Sequence, residues 1–318
     1  MLFRSEVFHV RIVSVSRRTD IPAFYSTWLF HRMREEYALV RNPRNAKQTR
    51  FVSLKPEDVQ CFVFWTKDAR PMVSHLDELE ALGSAFYFLW TVTPYGPEIE
   101  PGFPRKEEIV SAFRRLSDRI GPRRTIWRYD PVIVDDAFPV RNHLEAFARM
   151  CASLEGATER CIVSFVDMYR KLRGKAIREV GEEDMRIIAR TLPEIARAHG
   201  IEVQSCCEGE AFGAEAFPSG GCIDAALVEE LSWKPVPAKK DAGQRTLCRC
   251  APSVDIGAYD TCPAGCAYCY ATQSAAAVRA NVSRHDPASP LLTGSPSPEE
   301  QALVERSRTP KQSLLALF

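Results

Sequence analysis

The chain has 318 residues, is 45% hydrophobic, and carries 42 basic against 41 acidic side chains for a formal charge of +1. That apolar content can bury one large core or two modest ones. The balanced charge lacks the basic excess of a protein that coats nucleic acid, so bulk electrostatics give no support for a nucleic-acid partner. The opening M-L-F-R-S-E-V-F-H-V includes Arg4 and Glu6 and has no apolar run of signal-peptide length. No stretch approaches the roughly 20 apolar residues of a spanning helix, and the expectation is a cytoplasmic protein without a membrane partner. Eleven cysteines, an odd number set partly at C-x-C and C-x3-C-x2-C spacings, fit metal binding better than secreted disulfides.

Over the first 210 residues, short β-rich runs alternate with amphipathic helical patterns, the signature of β-α units around a parallel sheet. Strands are expected at 10–15, 38–41, 61–66, 85–92, 125–128, 161–166 and 201–204. Residues 105–120 read as a helix opening after Pro104 and stopping at Gly121, with Ile109, Phe113, Leu116 and Ile120 on one face. Leu144, Phe147, Cys151 and Leu154 repeat in the same way, as do Met185, Ile188, Leu192 and Ile195, with Pro193 expected to kink or interrupt that last helix. Residues 247–259 are positioned to supply an eighth strand. The fold class expected is α/β, a complete or partial (β/α)8 TIM-like barrel of roughly 250 residues, with an open doubly wound parallel sheet as the alternative. Residues 1–275 form the barrel-like domain, including the cysteine segment 247–272. Residues 276–318, rich in Pro and Ser, read as a tail whose terminal S-L-L-A-L-F could dock on the barrel.

Cys262, Cys266 and Cys269 are set as C-P-A-G-C-A-Y-C-Y. Three thiolates in one short turn can hold three irons of a cubane and leave the fourth without a protein thiolate, whereas four cysteines close a cluster. Sulfur ligation also suits zinc. The spacing, with Tyr268 before the last cysteine as a cofactor-side aromatic, resembles the cluster loop of the radical S-adenosylmethionine superfamily, where it usually lies near the start of the chain. The wider pattern resembles a bacterial domain-of-unknown-function family with a radical-SAM-like cysteine cluster at its C-terminal end. It rests on S-V-S-R-R-T-D-I-P-A-F-Y from Ser14, K-K-D-A-G-Q-R from Lys239, and C-R-C-A-P-S-V-D-I-G-A-Y-D-T-C from Cys248. The superfamily resemblance implies a [4Fe-4S] cluster, S-adenosylmethionine on the open iron, an electron-donating reductant, and a 5′-deoxyadenosyl radical acting on a small-molecule substrate. In many radical enzymes a Gly-Gly-Glu-like element on the strand after the cluster receives the methionine amino group. The permuted equivalent here, the first strand, ends in S-V-S-R-R-T-D.

Cys206, Cys222, Cys248 and Cys250 make a second candidate sulfur set, for zinc or a second, closed cluster; the competing reading makes Cys206, Cys207 and Cys222 small packing residues. Cys61, Cys151 and Cys161 sit on apolar faces and read as core. Residues after the strand ends are unusually polar, and in a barrel they would face the site. Arg17 and Arg18 suit a carboxylate or phosphate. Lys67 offers a point charge, and Asp20, Asp130 and Asp167 could position hydroxyl or amine groups or accept a proton, with Tyr129 and Glu208 beside them. Asp20 before Ile21-Pro22 also reads as a helix cap. Trp65, Trp90 and Trp127 read as packing. Two rival functions remain at this stage: a non-catalytic metal-binding module and a radical nucleic-acid repair enzyme.

Overall fold

The computed structural model describes residues 11–169, 172, 177–208 and 218–308. Among them, seven parallel strands form one sheet in the order β8-β7-β6-β5-β4-β1-β9. These are β1 (Arg11–Val15), β4 (Val59–Thr66), β5 (Ala85–Thr91), β6 (Thr125–Val132), β7 (Arg160–Phe165), β8 (Glu202–Ser205) and β9 (Val254–Asp255). The fold is therefore α/β with a parallel sheet. From β1 to β8 each new strand adds on the same side of the last, and β9 returns to the far edge, where Val13 pairs with Val254 and Ser14 with Asp255. No pairing joins β8 to β9 among the described residues.

The central strands are apolar on both faces because both are covered, as parallel sheets require. Phe62, Phe64, Phe86, Phe88, Trp90 and Trp127 pack with helices α2 (Ser26–Arg34), α5 (Lys106–Ile120), α6 (Val140–Leu154) and α7 (Glu182–Arg197). Cys61, Val63, Trp65, Tyr87, Leu89 and Ile126, one residue out of phase, face α8 (Ala225–Ser232) and the segment carrying Val236, Cys248 and Cys250. The period of two along each strand thus separates a helical core from a second core that holds six of the eleven cysteines.

The run at 38–41 is a strand, but it belongs elsewhere. β2 (Tyr37–Asn42) pairs antiparallel with β3 (Asn45–Ser53) in a separate hairpin. Asn42 Oδ1 accepts the Arg44 N–H at 2.9 Å and tightens the reversal. Of the expected kink or interruption at Pro193, the interruption does not occur: α7 continues through that residue. Its strongly one-sided apolar face, with Ile188, Ala189, Leu192, Pro193 and Ala196 buried, offsets the hydrogen bond that proline removes. Cys61, Cys151 and Cys161 are core.

Beyond the cysteine loop, α9 (Ala275–Val282) and α10 (Pro298–Arg308) bracket a coil that packs on the hairpin and α2. Trp28 Nε1 donates to the Ser289 carbonyl at 2.9 Å, and Glu300 takes a two-pronged ion pair from Arg41 and a 2.6 Å bond from Thr49. The terminal S-L-L-A-L-F lies outside the described residues, as does Val10 of the first expected strand. Among the described residues no helix is long and apolar enough to cross a membrane.

Candidate functional site

In a parallel sheet all C-terminal strand ends share one edge, and a cleft of about 1110 Å³ opens there. Its walls include Arg17, Arg18 and Asp20 after β1, Lys67 after β4, Arg128 and Asp130 on β6, and Asp167 after β7. Cys206, Cys222, Cys248, Cys250, Cys262, Cys266, Cys269 and Tyr268 line the same cleft. Two expected residues do not. Tyr129 is fully buried on the helical side, its hydroxyl 2.8 Å from His143 Nδ1. Glu208 lies behind the wall, where it accepts the Phe165 N–H at 3.0 Å, and burial raises its pKa to about 7 against that bond.

Pairing of β9 with β1 carries the cysteine loop to the cleft. Gly265 supplies the positive φ, +73°, that folds C-P-A-G-C back on itself. The loop is held against the segment after β5. Ala267 N–H donates to the Ile99 carbonyl at 2.9 Å, and Gly102 approaches so closely that a Cβ there would lie 2.5 Å from Ala264 Cα. The Cys262 sulfur accepts backbone N–H groups from Asp20 and Ala264, and Cys269 Sγ accepts Thr272 Oγ1 at 3.6 Å. Burial pushes the Cys262 thiol up and Cys266 up to about 12, with Lys67 opposing the latter rise. A bound cation reverses this preference by stabilising the thiolates.

Glu100 is the anchor that sequence reasoning missed. Its Oε1 accepts Lys67 Nζ at 2.7 Å, Thr93 Oγ1 at 2.7 Å and the Tyr268 hydroxyl at 2.5 Å, and its Oε2 accepts Lys106 Nζ at 2.6 Å. Burial by itself would raise this carboxyl, but Lys67 and Lys106 outweigh it and hold the pKa at about 2. Tyr268 is thereby fixed through Glu100, with Lys67 Nζ 5.6 Å from its ring centre. Asp20 caps α1 (Ile21–Phe24), accepting the Ala23 N–H at 3.1 Å, and takes the Lys67 N–H at 2.7 Å. Burial nonetheless raises it to about 7.

Asp255, also missed, organises the end of β1. It accepts Ser14 Oγ at 2.9 Å, Ser16 Oγ at 2.5 Å and the backbone N–H of Arg17 at 2.8 Å. Arg17 bonds Ser253 Oγ at 2.7 Å; burial opposes its charge, but Asp255 and Cys250 raise its pKa overall. Arg18 stacks 5.4 Å from the Tyr259 ring centre. Trp90 and Trp127 are core, whereas Trp65 lines the cleft with the Arg17 guanidinium 5.4 Å and the Arg128 guanidinium 4.9 Å from its ring centre. Arg128 also pairs with Asp130, and Arg245 with Asp167. The Nε atoms of Arg17 and Arg128 are buried without a hydrogen-bond partner.

The second sulfur set converges and gains a member. Cys206 contacts Cys207 and Cys222, Cys248 contacts Cys207 and Cys250, and Cys250 contacts Cys222, closing a ring of five thiols. Cys206 and Cys222 sulfurs lie 3.3 Å apart. Hydrogen bonds from Cys206 and Cys248 lower the Cys207 thiol, and those from Cys222 and Cys248 lower Cys250, which also accepts the Ile223 N–H. Only the adjacency of Cys206 and Cys207 in sequence signalled the fifth thiol. Among the described residues no three His, Cys, Asp or Glu side chains already surround a metal position, so a metal would bind with rotation of these thiols about their side-chain torsions.

A family described as a domain of unknown function (DUF1848) matches residues 12–271, from β1 through the cysteine loop. The chain belongs to that family. The family match therefore spans the sheet, both sulfur sets and the residues that anchor them, and leaves α9 and α10 outside. No curated protein matches the chain.

Proposed function

We propose that the protein is an iron-sulfur enzyme of the radical S-adenosylmethionine type, acting on a small molecule in the cleft. The observation that carries this reading is that Cys262, Cys266 and Cys269 line one cleft with Arg17, Lys67, Arg128 and Asp130. The donor set suits a cluster: three thiols on one loop, with backbone N–H groups directed at Cys262 and a hydroxyl at Cys269. When bound and reduced by an external electron donor, the cluster would supply one electron to break the C5′–S bond of S-adenosylmethionine, giving methionine and a 5′-deoxyadenosyl radical.

The chain's own residues bind and orient. The guanidinium groups of Arg17 and Arg128, which line the cleft, suit a carboxylate or phosphate. Trp65 offers an apolar face between them. Asp130, held by Arg128, is a candidate for a substrate hydroxyl or amine, and Glu100 keeps Lys67 and Tyr268 in place. The covered sheet faces exclude water from all but the strand-end edge. We read the sheet as a partial β/α barrel, a reading supported by its one-directional strand order and the return of β9 to β1.

The test is anaerobic reconstitution with iron and sulfide, reduction with dithionite in the presence of S-adenosylmethionine, and chromatography for 5′-deoxyadenosine. The product is expected, with its loss in Cys266→Ala. A cluster that forms but yields no such product and binds no S-adenosylmethionine would overturn the enzymatic reading. Zinc in place of iron and sulfide would overturn the cluster.

A further inference from the structure

We propose that the five-thiol ring of Cys206, Cys207, Cys222, Cys248 and Cys250 is a second metal centre, binding one thiophilic divalent ion through four thiolates, with Cys206 and Cys207 interchangeable at one position.

The first argument is convergence. The five thiols come from three separate segments: the end of β8, the turn before α8, and the C-x-C before β9. Chain folding has gathered them at one end of the cleft, with Ile12, Val63, Leu89 and Leu227 packed behind them and Arg17, Arg128 and Arg245 close by. Small packing residues alone would not need to be sulfur at all five positions. The second argument is spacing. A tetrahedral ion with metal-sulfur bonds of about 2.3 Å sets its thiolates about 3.8 Å apart along each edge. The 3.3 Å between Cys206 and Cys222 is of that scale, whereas a cubane puts each thiolate on its own iron, separated by the width of the cluster.

The third argument is the backbone at Cys207. Successive side chains of an extended strand point to opposite faces, so vicinal cysteines following β8 would ordinarily send one thiol away. Cys207 instead has φ of +65°, a conformation uncommon and costly for a residue with a Cβ. That turn brings its thiol to the same ring as Cys206, beside Cys248. A tetrahedral ion takes four of five thiolates, and the vicinal pair is the part that offers one too many. All five line the cleft, but Cys207 is the half-buried member, whereas the other four are buried. Exchange at this position would open the ion toward the cleft.

This centre is independent of the loop at 262–269, and its test separates the two. The full chain carrying Cys262→Ala, Cys266→Ala and Cys269→Ala is purified anaerobically and titrated with cobalt(II). About one cobalt per chain is expected, with tetrahedral d–d bands and thiolate-to-cobalt charge transfer, displaced by zinc. In that background Cys250→Ser should weaken binding by roughly tenfold or more. Cys206→Ser and Cys207→Ser should each retain the tetrahedral spectrum, and the double variant should lose it. Iron with sulfide at this site, a folded chain that binds no cobalt, or loss of binding in either single variant would overturn the proposal. Circular dichroism establishes folding. Should the triple variant misfold, native mass spectrometry of the anaerobically purified wild-type chain decides: a zinc ion beyond any iron supports the centre, and its absence refutes it.

Discussion

Glu100 shows how one side chain can position several others. Four donors converge on a carboxylate that is almost wholly buried, with only 1% of its side chain exposed. Replacing one partner of a buried ionic network leaves the remaining charges uncompensated, so Glu100→Gln should destabilise the fold by on the order of 3 kcal/mol in urea unfolding. It should also lower iron retention at the cysteine loop, since Tyr268 loses its charged anchor. His143 makes a separate point about protons. Burial holds it neutral, lowering its pKa from 6.5 to about 4, although its bond to the Ile133 carbonyl acts the other way. The unfolded chain therefore takes up this proton first as pH falls. The stability tied to the neutral ring is fully present above pH 6.5 and lost as pH falls through about 4, on the order of 3 kcal/mol in all. Unfolding free energies measured across that window should slope accordingly, and His143→Gln should flatten this component.

At the scale of elements, contacts made across long sequence separations hold the cleft together. The cysteine loop rests on the segment after β5 because residue 102 has no side chain: a Cβ would lie 2.5 Å from both Ala264 Cα and its carbonyl oxygen. Gly102→Ala should thus push the loop off its seat. Cluster absorbance per chain should fall while far-UV circular dichroism is preserved. The hairpin of β2 and β3, which contributes Arg41, Arg44 and Arg50 to the cleft rim, is tied to α10 by Glu300. Glu300→Ala removes charge-assisted bonds from Arg41 as well as the bond to Thr49. A loss of about 1–3 kcal/mol is expected, together with faster limited proteolysis at the hairpin turn.

For the molecule as a whole, the two cores have different characters. The helical core is built mainly from large aromatic and aliphatic side chains, whereas the opposite core holds six of the eleven cysteines and is covered mainly by coil and one short helix. Ligands that bind only the folded chain stabilise it in proportion to the logarithm of their concentration over the dissociation constant. Metal loading should therefore raise the thermal midpoint by several degrees, and chelation should reverse it. Hydrogen exchange in apo protein should speed up first around residues 222–271 and last in β4 and β5, whose backbones are paired on both sides.

The α/β class and most of the sheet were legible in sequence because a strand covered on both faces must be apolar along its length, as 61–66 and 85–91 are. The faces of α5, α6 and α7 were legible from their 3.6-residue period, and Asp20 from the cap chemistry of Asp-Ile-Pro. The cysteine loop, too, was marked by local spacing. What stayed hidden depends on partners distant in sequence. Nothing near 38–41 says that it pairs with polar β3 rather than with the sheet, and Glu100 sits in an unremarkable proline-rich stretch until Lys67, Lys106 and Tyr268 close on it. Cys207 looked like packing until an unusual backbone turn brought it to a ring drawn from three segments. The sequence by itself determined which residues could carry sulfur and charge chemistry, since side-chain type and local period are written in order along the chain. Only the tertiary structure decided which of them share one cleft, because strand order and β9's return to β1 are set by long-range packing.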